Sequence, residues 1–357
     1  MRTIQLNKIY NENCLVTMAD MNENMIDLTV TSPPYDDLRD YEGHSQDYEG
    51  YSFDFKNIAK ELYRVTKTGG VVVWVVGDSI IDNSESGNSF RQALHFKDLG
   101  FKIHDTMIYR KAGPRFPEKI RYSQIFEYMF VFSKGGPPNK VHIIKDRQNR
   151  WAGYTNWGKN SYRSKEGEVV KTRVLKSGKE VDVKDAKRYK QFGARFNLWE
   201  ESEPTDEQMK EYLEELEGKN NILRSNEWRY VNGFGFGTKD KDAYKHPAMF
   251  PEQLVEDHIL SWSDENDLVY DPFMGSGTTA KMALLTNRNY IGSETCQEYV
   301  DGSLERIKGI VRGGRLQTIK DAESKRFEKE SEHTRKVTEE TEKHSKNEKK
   351  WQPEQPD

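Results

Sequence analysis

The sequence predicts an α/β protein built on a doubly wound parallel sheet that carries an inserted, basic, partly β region. Short runs rich in β-branched residues alternate with helical stretches of ten or more residues, which implies parallel strands covered on both faces. Two of these strands end in loops of unusual composition. Between the two α/β stretches the texture changes: Lys140 to Arg195 holds sixteen Lys or Arg against six Asp or Glu, interleaved with Trp151, Tyr154, Trp157 and Tyr162.

Taken in order, the expected strands are Ile26 to Thr31, Val71 to Val76, Thr106 to Arg110, Tyr128 to Ser133, Leu268 to Tyr270 and Tyr290 to Ser293. The expected helices are Phe55 to Val65, Ser89 to Leu99, Pro251 to Ser261, Gly277 to Leu285 and Gln297 to Ile310. From Glu200 to Lys219 nine acidic residues oppose two basic ones, with Leu213 and Leu216 at helical spacing, which reads as an exposed helix. From about Thr318 the chain is rich in Glu and Lys and nearly devoid of aliphatics, so it is expected as a frayed helix or disordered tail. The expected divisions are therefore 1–135, an insert at 136–225, 226–316, and a charged tail at 317–357.

A chain of 357 residues with 34% hydrophobic and 32% charged content supports one large or two modest domains. No apolar run is long enough to span a bilayer and the first residues lack the apolar core of a signal peptide, so the expectation is a cytoplasmic protein without membrane association. Two cysteines far apart exclude a disulfide framework, and the eight histidines lack ligand spacing, so no metal site is expected. The net charge of −4 conceals the basic insert beside its acidic neighbour.

The first loop reads Ser32-Pro33-Pro34-Tyr35. Proline ends a strand and restricts its predecessor, so this is a stiff loop at a carboxyl edge, where open α/β sheets bind ligands. The second reads Asp271-Pro-Phe-Met-Gly-Ser-Gly-Thr-Thr-Ala, a strand end, a turn containing Gly275 and Gly277, and a helix start. Glycines let a ligand approach the backbone, and a helix N-terminus offers N–H groups. The next strand ends in Glu294, placed to accept hydrogen bonds from ribose hydroxyls. The full dinucleotide fingerprint is absent, since Ala280 stands where its third glycine would be. No Gly-Lys-Ser/Thr follows the turn, so a phosphate loop is excluded as well. An adenosine-type sulfonium donor, S-adenosylmethionine, is the expected cofactor.

Thr31-Ser-Pro-Pro-Tyr resembles the catalytic motif of the DNA amino-methyltransferases, which modify cytosine N4 or adenine N6. Asp271-Pro-Phe-Met-Gly-Ser-Gly-Thr-Thr resembles their cofactor loop, and Lys245-His-Pro-Ala-Met-Phe-Pro-Glu-Gln-Leu the helix entry before it. The motif order is similar to that of the circularly permuted β subgroup, and the resemblance covers roughly residues 1 to 135 and 226 to 310. It implies a Rossmann-like methyltransferase sheet with a target-recognition region inserted at its middle. Relatives often carry Gly-Asp where this chain has Glu12-Asn13.

The resemblance implies roles. An exocyclic amine is a poor nucleophile because its lone pair is delocalised, and fixed acceptors around its N–H bonds stabilise the charge that develops during attack. Ser32 and the Pro33 carbonyl take that role, Pro34 stiffens the loop, and Tyr35 stacks on the base. Lys245, His246, Pro247, Asp271, Pro272, Phe273, Gly275, Ser276, Gly277, Thr278 and Glu294 are the expected cofactor residues. Double-stranded DNA is the expected partner, with the target base flipped out of the stack. Arg39, Arg147, Arg150, Trp151, Lys159, Arg163 and Arg188 are its expected contacts. Ser rather than Asp at position 32 favours cytosine N4 over adenine N6 within the family. Cys14 and Cys296 lack the preceding proline of the C5-cytosine enzymes and are expected as packing residues. Asp78 is read first as a turn or cap after its strand. An inactive DNA-binding module is the rival of another class, opposed by the intact motifs. A restriction endonuclease, where one accompanies this chain, is expected as a separate protein.

Overall fold

The computed structural model describes residues 2–34, 53–111, 120, 122, 124–145, 147–148, 159–163, 169–173, 192–200 and 250–315. The first half runs β1 (Lys8–Asn11), α1 (Cys14–Ala19), β2 (Ile26–Thr31), α2 (Phe55–Val65) and β3 (Thr66–Val76). A small ribbon of β4 (Ile80–Ile81) and β5 (Ser84–Glu85) leads to α3 (Asn88–Asp98), β6 (Phe101–Arg110) and β7 (Phe126–Lys134). Short strands β8 (Arg147–Gln148), β9 (Lys159–Arg163), β10 (Val169–Arg173), β11 (Phe192–Gly193) and β12 (Leu198–Glu200) follow. The last part runs α4 (Glu252–Trp262), β13 (Leu268–Asp271), α5 (Thr278–Leu285), β14 (Asn289–Glu294) and α6 (Gln297–Ile307).

Eight strands form one sheet in the order β1-β14-β13-β2-β3-β7-β6-β12. Alternation along β3 shows why helices cover both faces. Val71, Val73 and Val75 pack on one side with residues of α4, α5 and α6, while Val72, Trp74 and Val76 pack on the other with α1, α2 and α3. A strand apolar on both faces is stable only between two layers, and each fully buried valine contributes about 1.5–3 kcal/mol. Helix α2 shows the matching pattern, burying Ile58, Ala59, Leu62 and Val65 at helical spacing, with Asp54 accepting from the Asn57 N–H at its start.

The sheet departs from the all-parallel expectation at β7, which pairs antiparallel with both β3 and β6. The sequence offers no helical pattern between the strands expected near 106–110 and 128–133. Without a crossover helix, neighbouring strands return antiparallel. The strand expected at Thr106 also begins earlier, at Phe101.

The chain divides into two compact units, residues 1–143 with 196–317, and 144–195 with 318–357. The first therefore includes β12, which pairs parallel with β6, although residues 136–225 read as the insert in the sequence. In the second unit β9 and β10 form an antiparallel ribbon, β8 pairs with β11, and Arg147 Nε donates to the Ala194 carbonyl at 2.9 Å. Glu200, expected to open an acidic helix, instead ends strand β12, and the rest of that segment at 201–219 and the tail at 317–357 lie outside the described residues.

Candidate active site

Helices α2 and α5 leave the sheet on opposite faces, α2 after β2 and α5 after β13, and β2 and β13 are direct neighbours. This is a topological switch point, the crevice where open α/β sheets bind ligands at the carboxyl ends of their strands. Ser32, Pro33 and Pro34 follow β2, and the turn at 272–277 follows β13. The two loops, distant in sequence, thus open onto the same crevice.

Asp271 joins them. Its Oδ1 accepts from Thr31 Oγ1 at 2.7 Å and from the Phe273 N–H at 3.0 Å, and its Oδ2 accepts from Thr279 Oγ1 at 2.7 Å. One carboxyl group therefore ties the end of β2, the turn and the first turn of α5. Burial pushes its pKa up to about 6, against the opposing pull of Thr279, Thr31 and the Phe273 N–H. Enclosing an ionisable group so completely at a strand edge is a feature of functional sites.

The turn itself needs its glycines. Gly277 has φ +78°, and a Cβ there would lie 2.8 Å from Ser303 Cβ. A Cβ on Gly292, in β14, would lie 2.3 Å from Met274 Cε, so the strand passes close behind the turn. Met274 N–H donates to the Ser293 carbonyl at 2.9 Å, and Gly277 N–H to the Met274 carbonyl at 2.9 Å.

Glu294, at the end of β14, accepts from the Gly275 N–H at 2.8 Å and the Cys296 N–H at 2.9 Å. Burial raises its pKa while these N–H groups oppose the shift. A carboxylate offers about four acceptor sites, so capacity remains for a ribose hydroxyl. Phe273 packs edge-on against Phe53 (5.7 Å between centroids) and Trp74 (6.2 Å), which fixes one side of the turn to the core. Glycines at positive φ, an acidic strand end and a helix start together fit an adenosine-type cofactor.

Other side chains singled out in the sequence have structural roles here. Asp78 accepts from Ser86 Oγ at 2.9 Å and the Ser89 N–H at 3.0 Å, and also from Ser89 Oγ, so it caps α3. Asn13 caps α1 by accepting from the Leu15 N–H at 2.9 Å. Cys14 is buried, and burial pushes its thiol up to about 12, which suits a packing residue and not a nucleophile. Tyr35, Arg39, Arg150, Trp151, Arg188, Lys245, His246 and Pro247 lie outside the described residues. Lys159 and Arg163 are described only as backbone of β9. Sequence reasoning missed Gly292, Ser303 and Arg306. Only Gly292 carried a signal, as a glycine inside a strand.

The fold and this crevice define an enzyme of the doubly wound α/β class that holds a nucleoside-bearing cofactor beside a second, stiff loop. The chain belongs to the DNA methylase family of N6/N4 methyltransferases, whose model matches residues 26–305. It is 50% identical over 295 residues to the orphan methyltransferase M.BamHII of Bacillus amyloliquefaciens, across 82% of this chain and 93% of that protein. Against the type II methyltransferase M.BglII of Bacillus subtilis it is 24% identical over 322 residues, across 85% of this chain and 69% of that one. Among solved structures, PvuII DNA methyltransferase (cytosine-N4-specific) shares the fold, with a TM-score of 0.50 and 21% identity over 88% of this chain and 92% of that one.

Proposed function

We propose that this protein is a site-specific DNA methyltransferase that methylates the exocyclic N4 amine of cytosine in double-stranded DNA, with the base flipped from the helix. The observation that carries this is the meeting of the Ser-Pro-Pro loop and the glycine turn at one switch point, joined through Thr31 and Asp271. Serine at position 32 supports cytosine as the target, by the resemblance in sequence.

S-adenosylmethionine supplies the methyl group, already activated by its sulfonium charge. Asp271, Gly275, Gly277 and Glu294 hold that cofactor at the turn, with Lys245, His246 and Pro247 beside it. Ser32 Oγ and the Pro33 carbonyl oxygen accept the two N–H bonds of the amine, stabilise the positive charge that develops on nitrogen, and hold its lone pair toward the donor. Pro34 keeps both acceptors fixed in advance, and Tyr35 stacks on the base. Arg39, Arg147, Arg150, Trp151, Lys159, Arg163 and Arg188 contact DNA, largely at phosphates. The name of its relative, an orphan methyltransferase, supports action without a dedicated endonuclease. Among the described residues no helix is long and apolar enough to cross a membrane, and the enzyme acts in the cytoplasm, where DNA is within reach.

Purified protein incubated with isotopically methyl-labelled donor and mixed-sequence duplex DNA, followed by mass spectrometry of the nucleosides, tests this. Labelled N4-methyldeoxycytidine is expected. Labelled N6-methyldeoxyadenosine alone would move the target to adenine, and DNA binding with no methylated nucleoside would overturn the enzymatic reading.

A further inference from the structure

The N–H groups of Phe273, Met274, Gly275 and Gly277 are satisfied within the protein, and the carbonyl groups of the same turn need partners as well. Helix α6 supplies them with two side chains three residues apart, hence on one face. Ser303 Oγ donates to the Gly275 carbonyl at 2.7 Å. Arg306 Nη1 donates to the Ser276 carbonyl at 2.8 Å, to Thr278 Oγ1 at 2.9 Å and to Ser276 Oγ at 3.3 Å. Its other nitrogen, Nη2, donates to Glu252 Oε1 at 2.5 Å, and Lys281 Nζ donates to the same oxygen at 2.7 Å. The Arg306 side chain is 1% exposed, so this is a desolvated network in which solvent screens little.

The placement of Glu252 gives the network its meaning. It opens α4, five residues along the chain from Pro247, the last residue of the Lys245-His-Pro segment that the sequence resemblance assigns to the cofactor. Arg306 thus bridges the glycine turn and the entry to α4, and Lys281 ties the same carboxylate to α5.

We infer that Arg306 is a positioning residue of the cofactor site: its guanidinium fork sets the carbonyl face of the 275–278 turn and holds it in register with the start of α4 at Glu252. Lysine can replace it only in part, because one ammonium lacks the planar fork that reaches both sides. The inference rests on the reading of the turn as the S-adenosylmethionine site. It adds a part that touches neither cofactor nor DNA.

Calorimetry of S-adenosylmethionine binding, run beside DNA binding, thermal melting and steady-state kinetics, tests it in the full chain. Arg306→Met is expected to weaken cofactor binding about 10- to 100-fold, as loss of buried charge-assisted hydrogen bonds does. DNA affinity and kcat at saturating cofactor are expected within about threefold of wild type, the pattern of lost uniform binding. Arg306→Lys should recover part of the cofactor affinity, and Glu252→Gln should weaken it by loosening its hold on Arg306. Wild-type cofactor affinity in a folded Arg306→Met variant overturns the inference. So does a loss of cofactor and DNA binding in equal proportion that tracks the folded fraction. Where Arg306→Met fails to fold, Arg306→Lys and Ser303→Ala decide by the same KM against kcat split, with unchanged cofactor KM counting against it. A wild-type protein that binds no S-adenosylmethionine would instead overturn the proposed function itself.

Discussion

Thr31 Oγ1 donates to Asp271 Oδ1 at 2.7 Å, a bond between residues 240 positions apart that fastens the Ser-Pro-Pro loop to the glycine turn. Thr31→Val keeps the shape and removes the donor, leaving Oδ1 with the Phe273 N–H alone. Because Asp271 is buried, the expected cost is about 1–3 kcal/mol in urea unfolding, with weaker cofactor binding. Thr31→Ser should restore most of it. A valine variant within about 0.5 kcal/mol of wild type would contradict the bond's role.

Asp271 also predicts a pH signature. Its pKa rises from 3.8 in the unfolded chain to about 6 in the folded protein, so the folded state holds this proton more tightly. Its contribution to stability is complete below about pH 3.8 and is lost as the pH rises through 6. Asp271→Asn removes that titration. The difference in unfolding free energy, variant minus wild type, should therefore move in the variant's favour by about 2 kcal/mol between pH 4 and pH 7. Chemical denaturation across that range checks it, and a flat difference would refute the raised pKa. The same variant should bind cofactor poorly, since an amide offers one acceptor oxygen where the carboxyl group uses two to hold Thr31, the Phe273 N–H and Thr279.

Ser32→Ala removes one of the two acceptors proposed for the amine. The expected result is a fall in kcat of about 10²-fold or more with the KM for S-adenosylmethionine little changed, because the interaction acts in the transition state. Single-turnover methylation with saturating cofactor measures it directly. A near-wild-type rate would remove Ser32 from the mechanism.

The elements that frame the candidate site were legible because their sequence signals are local. The valines and Trp74 of β3 are apolar on both faces, Ser32-Pro33-Pro34 ends a β-branched run, and Gly275 and Gly277 stand between strand and helix. Strand β1 and helix α1 were not legible. Lys8–Asn11 has only Ile9 and Tyr10 as apolar residues and gains its place by pairing with β14, across nearly the whole chain. Cys14–Ala19 is too short for a helical period to emerge. The reversed direction of β7 follows from a missing helix, an absence easily passed over in a pattern of presences. Arg306 was invisible for another reason: nothing in its spacing says that an arginine late in an amphipathic helix will turn inward to a backbone carbonyl and a carboxylate.

The most direct measurement compares DNA from a methylase-free host expressing either the wild-type chain or Ser32→Ala, digested to nucleosides and resolved by mass. N4-methyldeoxycytidine in the first and its near absence in the second is the predicted result. N6-methyldeoxyadenosine in its place, or equal methylation from both proteins, would contradict the account.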